Sequence, residues 1–152
     1  MKITLVAVGR LRSGPEKALV DDYLERFART GRGLGLPSVD VSEVEARASL
    51  TETQAISRAL PEGSLVVILD ERGAPLTSPD LAQKIGDWRD RARDVVFVIG
   101  GADGLDADLR ARADLAISFG AMVWPHMLVR VMVAEQLYRA AGILAGSPYH
   151  RA

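Results

Sequence analysis

The chain has 152 residues, 48% of them hydrophobic and 26% charged, with a net charge of −1, two histidines and no cysteine. That length and balance suit one domain with a real core. They exclude a disulfide framework, a zinc–thiolate site and a cysteine nucleophile, and they argue against a metal site and against a surface coated in basic residues for non-specific nucleic-acid binding.

The pattern alternates strand and helix throughout. Residues 3–8 form a short apolar run, predicted to be a strand buried on both faces. The stretch from Met1 to Gly9 is too short for a signal segment with its cleavage site. No apolar run reaches membrane-spanning length, so no membrane partner and a cytoplasmic location are expected. Ser13 or Gly14 caps a helix that has Pro15 in its first turn and runs to about Arg29, with Leu19, Val20, Tyr23, Leu24 and Phe27 at helical spacing. Residues 30–37 are a glycine-rich break, and Val39, Val41 and Val44 mark a second strand.

Ser49 to Glu52 has capping-box spacing and predicts a helix to about Leu60. Leu65 to Leu69 is a strand ending on Asp70, with a loop over Glu71 to Pro75. Ser78, Pro79 and Asp80 start a helix that reaches about Ala92. Val95 to Ile99 is the next strand, Asp106 to about Ala113 a short helix, Leu115 to Phe119 the last strand, and about Leu128 to Leu144 a final helix. Such alternation over 1–152 predicts a single α/β domain with a largely parallel sheet covered on both faces. Ligands then sit at the carboxyl ends of the strands, where Leu69, Gly100 and Phe119 fall.

The chemistry concentrates in the last third. Gly100 and Gly101 open a turn straight after a strand, where backbone can approach a phosphate or nucleoside; a plain strand-to-helix turn needing positive φ is the competing reading. No Lys-Ser/Thr pair follows, so this is not a Walker A loop. Ser118 to Pro125 is a second turn, with Gly120 and Ala121 followed by Met122, Val123 and Trp124. Apolar walls with main-chain donors and acceptors suit an adenine ring. His126 stands at a helix start and could meet a phosphate. The first half of the final helix is apolar nearly all round, which suggests a subunit interface.

Arg130 suggests a partner in a substrate phosphate or in a carboxylate across that interface. Glu135 and Arg139 are spaced for a helix-surface ion pair. Tyr149, His150 and Arg151 offer a stacking ring, a titratable ring and a fork donor, a set suited to RNA. With no nucleophile set, carboxylate pair or metal ligands, reactivity should come from a cosubstrate. A nicotinamide enzyme is disfavoured, because no glycine fingerprint follows the first strand.

Several of these segments in combination are similar to one family. They are Lys2 to Gly9, Leu69-Asp70, Ile99-Gly100-Gly101 with Gly104-Leu105, Pro125-His126 with Leu128-Val129-Arg130, Ala134 to Ala140, and Pro148-Tyr149-His150-Arg151. The chain resembles the RlmH (YbeA-like) family of SPOUT-class methyltransferases across essentially its whole length. That resemblance implies an α/β-knot fold with a C-terminal trefoil knot, which general topology rules would not suggest. It implies S-adenosyl-L-methionine as cosubstrate, held by Leu69, Gly100, Gly101 and the run Phe119, Gly120, Ala121, Met122, Val123 and Trp124. It implies a homodimer that methylates N3 of a pseudouridine in 23S rRNA on the assembled ribosome. His126, Arg139, Tyr149, His150 and Arg151 are then the RNA-facing residues. His150 is the first candidate for proton acceptor, and Arg130 and Arg151 are candidates to stabilise the ring anion. Trp124 departs from the small residue usual at its place. A non-catalytic ribosome-assembly factor of the same fold is the alternative.

Overall fold

The computed structural model describes residues 1–151. The described elements are β1 (Ile3–Val8), α1 (Pro15–Arg32), β2 (Val39–Val44), α2 (Glu52–Ala59), β3 (Leu65–Ala74), α3 (Ser78–Asp90), β4 (Val95–Ile99), α4 (Ala107–Arg112), β5 (Leu115–Ile117) and α5 (His126–Leu144). The strands form one sheet in the order β2-β1-β4-β3-β5, and every pairing is parallel.

Alternate residues on each strand serve opposite faces. Ile3, Leu5 and Ala7, with Val67, Val95, Phe97 and Ile99, pack against Phe27 of α1, Ile85 of α3 and Leu137 of α5. Val6 and Val8, with Val66, Ile68, Val96 and Val98, pack against Ile56 of α2 and Leu109 of α4. All of β4 is therefore buried, which is why it reads as unbroken apolar sequence. None of the described helices is long and apolar enough to cross a membrane.

The structure moves several boundaries, each for a local reason. The capping box of α2 is Thr51 with Gln54, because Arg47 and Leu50 first close a tight turn through two mutual backbone hydrogen bonds. Thr77, not Ser78, caps α3, and its box partner is Asp80. Helix α1 continues into the glycine-rich stretch, where Gly31 is buried against Leu36; a Cβ on Gly31 would lie 2.9 Å from that side chain. Strand β5 ends at Ile117, two residues early, and β3 runs five residues past Leu69 to Ala74. Helix α5 begins at His126, directly after Pro125.

Candidate cofactor site and the C-terminal tail

The ends of β4, β3 and β5 lie in that order, so β3 stands between the two glycine turns. A cavity of about 260 Å³ opens across these ends. Leu69, Gly100, Gly101, Phe119, Gly120, Met122, Val123 and Trp124 line it together. Ala121, expected with them, is exposed and is not part of the lining. His126, at the start of α5, also lines the cavity, beside the end of β1.

One wall comes from an irregularity in β3. Leu69 pairs with Ile117, and the next residue to pair, Ala74, faces that same Ile117. The residues between them bow out, and Asp70, Glu71 and Arg72 line the cavity. The Asp70 carboxylate steadies this bow by accepting the Arg72 N–H at 2.9 Å. Beyond it the two backbones touch: a Cβ on Gly73 would lie 2.6 Å from the Ala116 carbonyl. The buried Ser118 hydroxyl joins this wall to the next, lying 3.0 Å from the Glu71 carbonyl and accepting the Gly120 N–H at 3.0 Å.

The opposite wall is the turn after β4. Positive φ there belongs to Gly104, at +74°. Gly100 and Gly101 are glycines for a different reason, close approach. A Cβ on Gly100 would lie 2.9 Å from the Gly104 backbone, and one on Gly101 would lie 2.7 Å from the Glu52 carboxylate. The Glu52 end of α2 is tied to the start of α4, since the Thr53 hydroxyl donates to Asp106, the cap of α4.

Arg130 lies elsewhere and faces inward. It is 2% exposed and donates to the Glu43 carboxylate at 2.6 Å and to the carbonyls of Gly9 and Val8 at 3.0 and 3.3 Å. Burial alone would raise the Glu43 carboxyl, but the Leu11 N–H and the Arg130 guanidinium outweigh it and hold the group below the usual carboxylate range. The carboxylate expected for Arg130 across an interface is therefore found in its own chain. Arg130 braces α5 against the ends of β1 and β2, and it is too deeply enclosed to touch a reacting atom.

The tail forms a third assembly. Gly146, at φ +69°, reverses the chain after α5, with Gly146 N–H donating to Ile143 and Ser147 N–H to Gly142, the hydrogen bonding of a Schellman cap. The tail then returns along the helix. Glu135 Oε1 accepts from Arg139 Nε and Nη2 at 2.9 and 2.6 Å and from the Tyr149 hydroxyl at 2.9 Å. The Arg139 guanidinium lies 4.7 Å over the Tyr149 ring, and Tyr149 packs on Tyr138 at 4.5 Å. Burial and the bond to Glu135 push the Tyr149 hydroxyl well above its usual range, so it remains a donor. Arg139 Nη1 approaches His150 Nδ1 at 3.2 Å, while Arg151 is exposed. Glu135 stands nine residues beyond the cavity residue His126, roughly 13 Å along the helix.

A family profile described as "Predicted SPOUT methyltransferase" matches residues 1–150. The chain belongs to the SPOUT methyltransferase family. Relatives called "Ribosomal RNA large subunit methyltransferase H" from Paracoccus denitrificans and Cereibacter sphaeroides are 60% and 64% identical, each over 99% of both chains. Among solved structures, a probable methylase family protein from Haemophilus influenzae shares the fold with a TM-score of 0.56 and 15% identity, over 99% of this chain and 70% of the other. A probable methyltransferase from Bordetella pertussis does so at 0.54 and 14% identity, over 92% and 96%.

Within this SPOUT methyltransferase domain, sequence reasoning missed the bowed wall 70–72, the tie through Ser118 and the Glu43 partner of Arg130. Only the first had a signal. Asp70 followed two residues later by Arg72 can form an Asx turn, and Gly73 marks a close approach of backbones. Glu43 had none, because its partner is 87 positions away.

Proposed function

We propose that this chain transfers the methyl group of S-adenosyl-L-methionine to N3 of a pseudouridine in 23S rRNA on the assembled ribosome, acting as a homodimer. The observation that carries the reading is the cavity where β3, β4 and β5 end, walled by glycine turns and by the run 119–124. Its backbone groups and apolar side chains suit a bent nucleoside. The name of the relatives at 60–64% identity, a ribosomal RNA large subunit methyltransferase, supports the substrate class.

The homodimer has separate support. Met122, Val123, Trp124, Met127 and Leu128 form an apolar run at the cavity mouth, with Met122 and Val123 75% and 84% exposed. Exposed apolar surface of this kind marks an interface. A second copy set there would close the cavity and bring its own Tyr149, His150 and Arg151 toward it, which the roughly 13 Å of helix prevents within one copy. The C-terminal trefoil knot that the family resemblance implies belongs to the same reading.

The residues present fit the cosubstrate. Leu69, Phe119 and Trp124 supply apolar faces, and the turns after β4 and β5 supply peptide groups. Bound S-adenosyl-L-methionine would supply an electrophilic methyl group. The chain's own work is to hold the acceptor nitrogen about 3 Å from that carbon and in line. As the N3 proton leaves, charge develops on the ring carbonyl oxygens, and the donors of the RNA-facing tail, His150 and Arg151, are suited to meet it. His126, at the mouth, is suited to a backbone phosphate.

The test is to incubate the purified protein with radiolabelled S-adenosyl-L-methionine and ribosomes that lack the modification, then map the label. One labelled pseudouridine in 23S rRNA is expected. Binding to ribosomes without binding S-adenosyl-L-methionine would leave an assembly factor instead.

A further inference from the structure

Resting on that methyl-transfer reading, we propose that Arg139 fixes His150 as a hydrogen-bond donor through Nε2, and that His150 serves the reaction by donating to a ring carbonyl oxygen of the acceptor base. This departs from the proton-acceptor role that the sequence suggests for His150.

Arg139 Nη1 lies 3.2 Å from His150 Nδ1. A guanidinium has donors only, so Nδ1 must offer its lone pair. A neutral imidazole carries a single N–H, which then sits on Nε2. Arg139 cannot readily turn away, because Nε and Nη2 both hold Glu135 Oε1 and its plane lies over the Tyr149 ring. The Tyr149 hydroxyl holds the same Glu135 oxygen from the tail side. Tyr138 packs on Tyr149, and Tyr23 and Arg26 of α1 pack behind Tyr138. Glu135 and Arg139 are thus positioning residues acting through His150, whose ring is only half-buried.

The chemistry favours a donor at this place. In the transfer, N3 forms a bond to the methyl carbon, the carbon–sulfur bond breaks, and its electron pair stays on sulfur as a neutral thioether. The N3 proton passes to water. The charge that the departing proton leaves on the ring, before N3 has fully bonded the carbon, spreads to the carbonyl oxygens flanking N3, where an Nε2–H can meet it. To act as base, His150 would need its free lone pair facing the ring, and Arg139 holds that lone pair.

Two readouts test this. Long-range proton–nitrogen nuclear magnetic resonance of the ¹⁵N-labelled protein reports the tautomer directly. With two histidines in the chain, a His150→Gln sample assigns the spectrum. The Nε2–H form is expected for His150, and Arg139→Leu should admit the Nδ1–H form. Single-turnover methylation of ribosomes is the second readout. His150→Gln, whose amide nitrogen stands near the Nε2 position, should lose less than about tenfold, whereas His150→Asn and His150→Ala should lose about 100-fold. An Nδ1–H tautomer in the wild type, or a Gln variant as slow as Ala, overturns the proposal. A wild type that binds S-adenosyl-L-methionine yet methylates no ribosomal RNA overturns the functional reading and the catalytic half of this one, while the tautomer is still read from the spectrum.

Discussion

Arg130 and Glu43 are 87 positions apart in the chain and 2.6 Å apart in the fold. The pair joins α5 to the end of β2, and the same guanidinium holds the Gly9 carbonyl beyond β1. The two partners are unequally buried, with side-chain exposures of 3% for Arg130 and 27% for Glu43.

That inequality orders two substitutions. Glu43→Gln strands a cation that water cannot reach and should cost about 3 kcal/mol, the low end for a broken buried pair because Glu43 is partly wet. Arg130→Met removes the buried charge, fills similar volume and leaves a carboxylate that water can reach, so it should cost less. Chemical denaturation of both variants checks the order; equal losses, or the reverse, would contradict the burial argument.

Acid should weaken the fold in a defined direction. The folded Glu43 carboxyl sits below its ordinary value, and so do Asp80, held by Thr77 at the start of α3, and Asp106, held by the Thr53 hydroxyl and the Leu109 N–H. Their stabilisation is complete above the unfolded range near pH 4 and is lost as pH falls through the depressed folded values. Melting temperature followed from pH 7 to pH 3 should decline below about pH 4, and less steeply in Glu43→Gln.

Three glycine substitutions should separate by cause. Gly73→Ala places a methyl 2.6 Å from the Ala116 carbonyl, and Gly100→Ala places one 2.9 Å from the Gly104 backbone. Each should cost about 1–3 kcal/mol and weaken S-adenosyl-L-methionine binding, since backbone must shift at a cavity wall. Gly33→Ala, with φ −72° and open space around it, should be neutral or stabilising by up to about 1 kcal/mol. Thermal melts and calorimetric titration report both quantities.

Ser118→Ala removes the buried hydroxyl between the Glu71 carbonyl and the Gly120 N–H, and with it two part-buried hydrogen bonds whose other partners water can reach. A loss of about 0.5–1.5 kcal/mol is expected. Because the two groups belong to two cavity walls, cosubstrate affinity should also fall; unchanged affinity would show that the walls hold their places without this tie.

In the homodimer proposed above, Met122→Glu with Val123→Glu should separate the copies, and sedimentation velocity would show a smaller species. Methylation should vanish with it, since that proposal has each cavity completed by the other copy's tail. Full activity in a monomeric variant would remove the second copy from the site.

Much of the molecule was legible in the residues alone. Strict alternation of apolar runs and helical spacing determined ten elements and a parallel sheet, because a strand covered on both faces must be apolar throughout, as β4 is. Glycine turns at strand ends located the cavity wall, since positive φ and close backbone approach leave few residue choices. The rest was decided by tertiary structure. No local pattern could show that Arg130 turns inward to Glu43, that β3 bows over residues 70–73 and rejoins Ile117, or that Arg139 meets His150 across a reversed tail. Those are meetings between distant segments. Sequence periodicity reports which face of an element is buried, while the partner waiting on that face is set only when the sheet order and the packing of α5 bring the segments together.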